Sequence, residues 1–242
     1  MKRLSSSILC LFAPVLLMAG CEQKPVMSNT SEYLRLHGIV NDGRTVNEIV
    51  LIKDENKNQA KLRFPEEFRV SVETPNTHGP NPQSIRKGYA YSASISLDIT
   101  DDMEFSSSKV QSTKKIIGIL QLQFGATNDI KNDAWEQDQI ANIKKNSSKT
   151  VVREDLRLFE YATYQSGQHA GNYYYLPMDE NFRAVDGRPI LIGCLAANGP
   201  CAGSFRYLDK VAVTFSFPRA LLAHWRGLYL QSLKITKTVL IK

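Results

Sequence analysis

Ser166, Gly167 and His169 fall within four residues of one another in YQSGQHAGNYYY. Serine beside histidine is the start of a nucleophile and its base. A serine hydrolase assembles its triad through space, however, so adjacency along the chain says little. The same stretch also reads as a glycine-containing turn leading into a tyrosine-rich strand. Ser204, in CAGSF, lacks the G-x-S-x-G frame that exposes a nucleophile on a tight turn. Paired carboxylates, the raw material of general acid and base catalysis, occur at Glu66-Glu67, Asp101-Asp102 and Asp179-Glu180. All three pairs lie in the polar or proline-flanked surroundings of solvated turns. His37, His78, His169 and His224 are the only histidines, and none stands at a ligand-like spacing from a cysteine. No phosphate-cradling glycine motif is present. The expectation is a chain without metal or cofactor, whose job is not catalysis.

Cysteines carry more. Cys194 and Cys201 enclose six residues rich in Gly, Asn, Ala and Pro in GCLAANGPCAG. In an oxidising compartment this pattern reads as a disulfide closing a tight hairpin or loop, and in a reducing one as two free thiols. The chain-entropy model gives about 2.5 kcal/mol for so small a loop.

The N-terminus decides between the compartments. Lys2 and Arg3 precede an apolar run from Ile8 to Ala19, which ends in Ala19-Gly20-Cys21. That is the order of a secretory signal: positive region, short apolar region, small-residue cleavage site. As a helix the run would reach about 18 Å, against a hydrocarbon core of about 30 Å, and Pro14 interrupts it. Leu17-Met18-Ala19-Gly20-Cys21 resembles the lipobox of bacterial lipoproteins, although Met18 stands where the family usually has leucine. The resemblance implies removal of residues 1–20 and acylation of Cys21, with palmitate among the chains. Several chains on one residue anchor firmly, each buried methylene contributing about 0.8 kcal/mol. Glu22, where an aspartate would favour retention in the inner membrane, implies the periplasmic face of the outer membrane.

Loss of residues 1–20 removes Lys2 and Arg3 and lowers the formal charge from +6 to +4. About 220 residues remain, 43% of the full chain being hydrophobic, which is enough for a genuine core. The positive surplus is scattered, with no arginine-rich run and no aromatic RNA-reading signature, so nucleic acid is not an expected partner.

Residues 22–31 read as a polar tether, and 32–242 as one globular domain or two small β-rich subdomains. Met27, within the tether, could start translation of an unlipidated form. VNEIVLIK and AKLRF flank the polar DENKNQ and predict a hairpin. FRVSVE predicts another strand. Residues 74–88 hold three prolines and two glycines, which predicts an exposed loop. Long and stiffened by proline, this loop offers His78, Asn81, Arg86 and Lys87 as contact residues for a partner. YAYSASISLDI alternates large apolar with small polar residues and predicts one strand from Tyr89 to Ile99. KKIIGILQLQF, VVREDLRLFEYATY, NYYYLP, RPILIGCLA and VAVTFSFP predict further extended runs, with SSKT a loop. NDAWEQDQIANIKKN predicts a short helix with Trp135, Ile140 and Ile143 inward. After Pro218, Leu221, Leu222, Trp225, Leu228, Tyr229 and Leu233 recur at helical spacing, with Ser216 as a cap. The expected fold is α+β: an antiparallel-sheet-rich globular domain with a C-terminal amphipathic helix packed on the sheet.

The segment from Gly193 to Leu233, with its close cysteine pair, a strand and a helix bearing a central Trp225, resembles periplasmic immunity lipoproteins that accompany type VI secretion lipase effectors. That resemblance covers the C-terminal part of the chain. It implies a non-enzymatic protein, held on the membrane by its N-terminal lipid, which binds a toxic phospholipase and neutralises it. An envelope assembly lipoprotein is the alternative from a second class. A hydrolase using Ser166 and His169 is the third.

Overall fold

The computed structural model describes residues 47–51, 60–65, 67–68, 70–73, 89–90, 92–107, 113–126, 133–163, 171–195, 198–208 and 211–241. Period-two sequences in this chain bury every second side chain, and fourteen strands form among the described residues. β1 (Asn47–Leu51) and β2 (Ala60–Phe64) make the expected antiparallel hairpin. Together with β4 (Tyr89–Ala90) and β14 (Leu240–Ile241) they form a four-stranded sheet in the order β14-β2-β1-β4. β4 lies parallel to β1, and the other pairs in that sheet are antiparallel.

The larger sheet is antiparallel throughout and runs β3-β5-β7-β13-β12-β11-β10-β9-β8. Its strands are β3 (Val70–Glu73), β5 (Ser92–Thr100), β7 (Ile116–Ala126), β8 (Lys149–Arg153) and β9 (Leu158–Thr163). They continue with β10 (Asn172–Pro177), β11 (Ile192–Leu195), β12 (Cys201–Tyr207) and β13 (Val211–Phe217). β6 (Phe105–Ser107) pairs beside β5.

One inner face of this sheet supplies the core. Ile95, Leu122, Phe205, Phe215 and Ile192 are buried there, in one cluster with Leu62 and Phe64 of the small sheet. The C-terminal helix closes it, through a 3₁₀ turn (Arg219–His224) and then α2 (Trp225–Val239). Leu221, Leu222, Trp225, Leu228 and Tyr229 are buried as their spacing predicts, and Leu233 is half-buried. Tyr229 meets Phe205 edge-on at 5.4 Å and its hydroxyl accepts a hydrogen bond from the Val185 N–H. Trp225 donates from Nε1 to the Leu156 carbonyl. The polar ends of both rings are therefore satisfied in the core.

α1 (Asp133–Asn146) packs on the opposite, outer face, where Ile143 and the half-buried Ile140 meet Tyr161, Leu176, Phe159 and Tyr174. The described side chains leave Trp135 outside this account.

Four local expectations are corrected. The Tyr89–Ile99 run is not one strand: Tyr89 and Ala90 join the small sheet, and β5 joins the large one. VVREDLRLFEYATY is a hairpin, since Glu154–Arg157 turns between β8 and β9 with Arg157 at φ 54°. No glycine or proline marks that turn, and the Arg153 guanidinium held by Asp155 supports it instead. Lys149 and Thr150 of SSKT already belong to β8. Ser216 does not cap the helix; it faces Ala202 inside the β12–β13 ladder, and Pro218 occupies the cap position without a side-chain hydrogen bond.

Candidate functional site

Alternation that buries one side of β5, β7, β13 and β12 turns their remaining residues outward. The register aligns these in continuous rows. Tyr174 faces Gly193, Gly193 faces Ala202, Ala202 faces Ser216, Ser216 faces Gln121, and Gln121 faces Ser96. One step along the strands, Ser204, Thr214, Gln123, Ser94 and Ser71 form a second row. The residues in these two rows are thus uncharged, most are short, and the serines, Thr214, the glutamines and Tyr174 can hydrogen-bond. Charge makes up 22% of the chain; among the described residues of β5, β7, β12 and β13 the outward charges are Asp98 beside Ile119 and Arg206 at the far end of β12, and Glu73 of β3 stands opposite Ser92 in the register.

An apolar border runs along one side. Leu195 is 60% and Ile119 51% exposed, with Pro200 and Pro218 between them on the adjoining strand ends. Large apolar side chains left this open are a feature of protein interfaces, and the charges beside them are Asp98, opposite Ile119, and Arg219. Among the described residues three hollows open on the middle of the face, the widest, of about 850 Å³, being bounded by Ile119, Gln121, Pro200, Ser216, Pro218 and Arg219. One of about 250 Å³ lies between Gln139 and Ile140 of α1 and the floor at Gly193, Ala202, Ser204 and Thr214. Another of about 320 Å³ is bounded by Tyr174, Leu195 and Pro200 over Gly193 and Ala202. Tyr174 lies against Gly193: a Cβ there would meet its ring carbons at 3.5 Å. That is ordinary van der Waals contact, so the ring stands beside the glycine and lines both cavities.

Cys194 and Cys201 stand directly opposite one another in the β11–β12 ladder and form a disulfide, with Cα atoms 4.0 Å apart. Both are buried on the inner face, so the bond staples the hairpin whose tip carries Leu195 and Pro200.

The inner face carries a polar network at its far end. Arg219 lies 4.2 Å above the Tyr173 ring and donates to the Tyr175 hydroxyl at 2.7 Å. Glu160 accepts from Arg153 at 3.2 Å. Burial, with Glu160 beside it, pushes the Tyr175 hydroxyl up to about 12. Its hydroxyl therefore stays protonated at neutral pH and can donate a hydrogen bond while accepting the one from Arg219. Asp186 accepts from Arg188 and from the Arg206 N–H. Burial alone raises its carboxyl, but these donors outweigh burial and hold it below the usual range. This cluster pins the Ala184–Arg188 turn to β12.

His78, Asn81, Arg86 and Lys87 are outside the described residues, as are Cys21, Met27, Ser166, His169 and Glu66. Asp101 and Asp102 are exposed at the β5–β6 turn, where Asp102 pairs with Lys114. Asp179 and Glu180 are also exposed, and Ser204 points outward from β12. Among the described residues no group of three or more His, Cys, Asp or Glu could hold a metal ion, and no helix is long and apolar enough to cross a membrane. The outer-face rows were not singled out by sequence, yet their signal is present in SASIS, LQLQF and VTFSF, where serine, threonine or glutamine fills every outward position.

Compared with known protein families, with characterised proteins and with solved structures, the chain matches none.

Proposed function

We propose that this chain is a lipid-anchored periplasmic protein that works by binding another protein, and that its partner is a toxic effector, a type VI secretion phospholipase, which it neutralises. The observation that carries the binding role is the outer face of the large sheet: charge-poor, open, bordered by exposed Leu195 and Ile119, and held rigid by strand pairing on both sides. A rigid patch of this kind loses little conformational freedom on association, which favours tight binding. The Cys194–Cys201 disulfide agrees with an oxidising compartment, and the lipobox-like Leu17–Cys21 segment supplies the anchor. Tethering an inhibitor to the surface its target attacks raises its effective concentration there. The 74–88 loop, with His78, Asn81, Arg86 and Lys87, enters the proposal as a second contact.

The test is a pull-down with residues 22–242 in oxidising buffer, against the product of the neighbouring gene and against a periplasmic extract. Nanomolar recovery of one lipase supports neutralisation, and loss of that lipase's activity in the complex completes the case. Recovery of resident envelope proteins alone sinks the effector reading and favours an assembly role. Deleting residues 76–86 should weaken the complex; unchanged affinity removes the loop from the interface.

A further inference from the structure

α1 and α2 lie on opposite sides of the large sheet and are held in different ways. α2 buries Trp225, Leu228, Tyr229 and Val239 in the main core. Of the described side chains of α1, residues 138–146, Ile143 is buried, Ile140 is half-buried and the others are exposed. Ile143 belongs with Tyr161 and Leu176 to a small cluster separate from the main core. Each of the three keeps 7–8% of its surface exposed, whereas Leu228 and Val239 keep none. Among the described residues no hydrogen bond or ion pair ties an α1 side chain to the sheet; Asn146 donates to Asn142 within the helix.

The packing beneath α1 is interrupted on both sides. Ile140 lines the hollow of about 250 Å³ toward Gly193 and Ala202. It also lines another, of about 220 Å³, toward Phe159, Pro177 and Phe182. A side chain with open space on two sides forgoes much of the dispersion contact that seats a helix. The chain leaving α1, by contrast, is fastened. The Ser148 N–H and hydroxyl both donate to the Ala162 carbonyl of β9 at 2.9 Å, and the Ser147 hydroxyl donates to the Lys149 carbonyl at 2.7 Å. A lightly seated helix thus ends at a fixed joint.

We propose that α1 is a hinged flap, which lifts from the outer face as a unit about Ser147–Ser148 while both sheets and α2 stay folded. Units that open below the level of global unfolding are those with few buried apolar contacts, and α1 meets that description. Its charges favour a helix that keeps its own order, because Asp133, Glu136 and Asp138 stand toward its start and Lys144 and Lys145 in its last turn. Lifting joins the two hollows into one trough floored by Phe159, Tyr161, Leu176, Tyr174 and Leu191. The closed face is small and polar over its middle, and the open one adds aromatic surface beside it. The flap goes beyond the binding role proposed above and does not depend on it.

Native-state hydrogen exchange on the full chain, with its disulfide intact, tests the flap. Amides of residues 139–146 should share one degree of protection, at least about 100-fold below that of β12 and β13. Ile143→Ala removes a contact made only in the closed state and should speed all of them together, by about 10-fold or more. Val213→Ala, or the milder Ile95→Val, weakens a core that is intact in the closed and open states alike. It should speed exchange in β12 and β13 and leave α1 unchanged. Hydroxyl-radical footprinting should find Phe159 and Tyr161 more reactive in Ile143→Ala, and Phe205 and Phe215 no more so. Acceleration of α1 by Val213→Ala as large as that of β13 would show that the helix leaves only with the whole fold, and would overturn the flap. Protection graded inward from the end of α1, with amides answering unequally to Ile143→Ala, would reduce it to fraying. Unchanged reactivity of Phe159 and Tyr161 in Ile143→Ala would show that nothing is uncovered, and would overturn it too. None of these outcomes bears on effector binding, which the pull-down decides separately.

Discussion

Phe215 and Thr214 are neighbours in β13, and they face opposite sides of the large sheet. Phe215 is wholly buried, stacked against Phe217 at 6.0 Å and packed near Phe205 and Tyr229. Thr214 is exposed, with Ser204 on one side and Gln123 on the other. The inner face is large, aromatic and closed by α2. The outer face is small, neutral and open over most of its width. Selection for folding alone explains the inner face. It leaves the outer one free to carry Lys and Glu, as solvated sheet faces commonly do. Restraint there, repeated on β5, β7, β12 and β13, is the observation on which the proposed binding role rests.

The contrast breaks most visibly by truncation. Phe215→Ala should cost about 3–5 kcal/mol, the loss expected for removing a buried ring, whereas Thr214→Ala next to it should change stability by less than about 0.5 kcal/mol. Urea unfolding of the two variants measures both. Equal losses would mean that the outer face is packed in solution. Gly203 sharpens the same point from the inner side. A Cβ there would come within 2.6 Å of the Phe215 ring, so Gly203→Ala should destabilise by about 1–3 kcal/mol through overpacking.

Next in size is the Asp186 cluster, which holds a turn against the sheet. Asp186→Ala removes the carboxylate to which the half-buried Arg188 guanidinium and the Arg206 N–H donate, and should cost about 1–3 kcal/mol. Because the folded carboxyl is held below its unfolded value, its contribution is complete above the unfolded pKa of about 3.9 and disappears as pH falls through the lower folded value. Between pH 6 and pH 3 the unaltered chain should therefore lose more stability than Asp186→Ala. Parallel pH dependence of the two would show that the carboxylate contributes nothing.

The stapled hairpin comes third. Replacing Cys194 and Cys201 together with serine should remove about 2.5 kcal/mol, and a reductant should then have no further effect on the variant. In binding, the loss should appear as faster dissociation, because Leu195 and Pro200 at the tip would no longer be held in place.

Much of the fold was legible because burial enforces a period. The β1–β2 hairpin, β5 from Ala93 to Ile99, β13 and the stripe of the last helix all follow from alternation or helical spacing. What escaped were features set by partners distant in sequence. Tyr89 leaves the run it belongs to because β1 offers it a parallel edge. The Glu154–Arg157 turn escaped because a side-chain pair, Arg153 with Asp155, stands where glycine or asparagine would have signalled it. The site was less legible still. The cysteine pair announced itself, but a floor of Gly193, Ala202 and Ser216 comes from three strands. Each residue in it is unremarkable until register sets them side by side.

The smallest effect belongs to the outermost charges. Asp102 is exposed, and hydrogen bonds from Lys114 and Thr100 draw its carboxyl down to about 2. A side-chain carbon NMR titration should place its midpoint near that value in dilute buffer. In 1 M salt, where the Debye length falls to about 3 Å, the midpoint should rise. Lys114→Ala should raise it in any buffer and leave the urea midpoint where it was, since a solvated pair of this kind contributes little to folding. A measurable loss of stability in Lys114→Ala would mean that the β5–β6 turn is fastened to the sheet by its charges. The line between a face that holds the fold and a surface that does not would then have to be redrawn at Thr100, whose buried hydroxyl already links that turn to the core by accepting the Glu104 N–H.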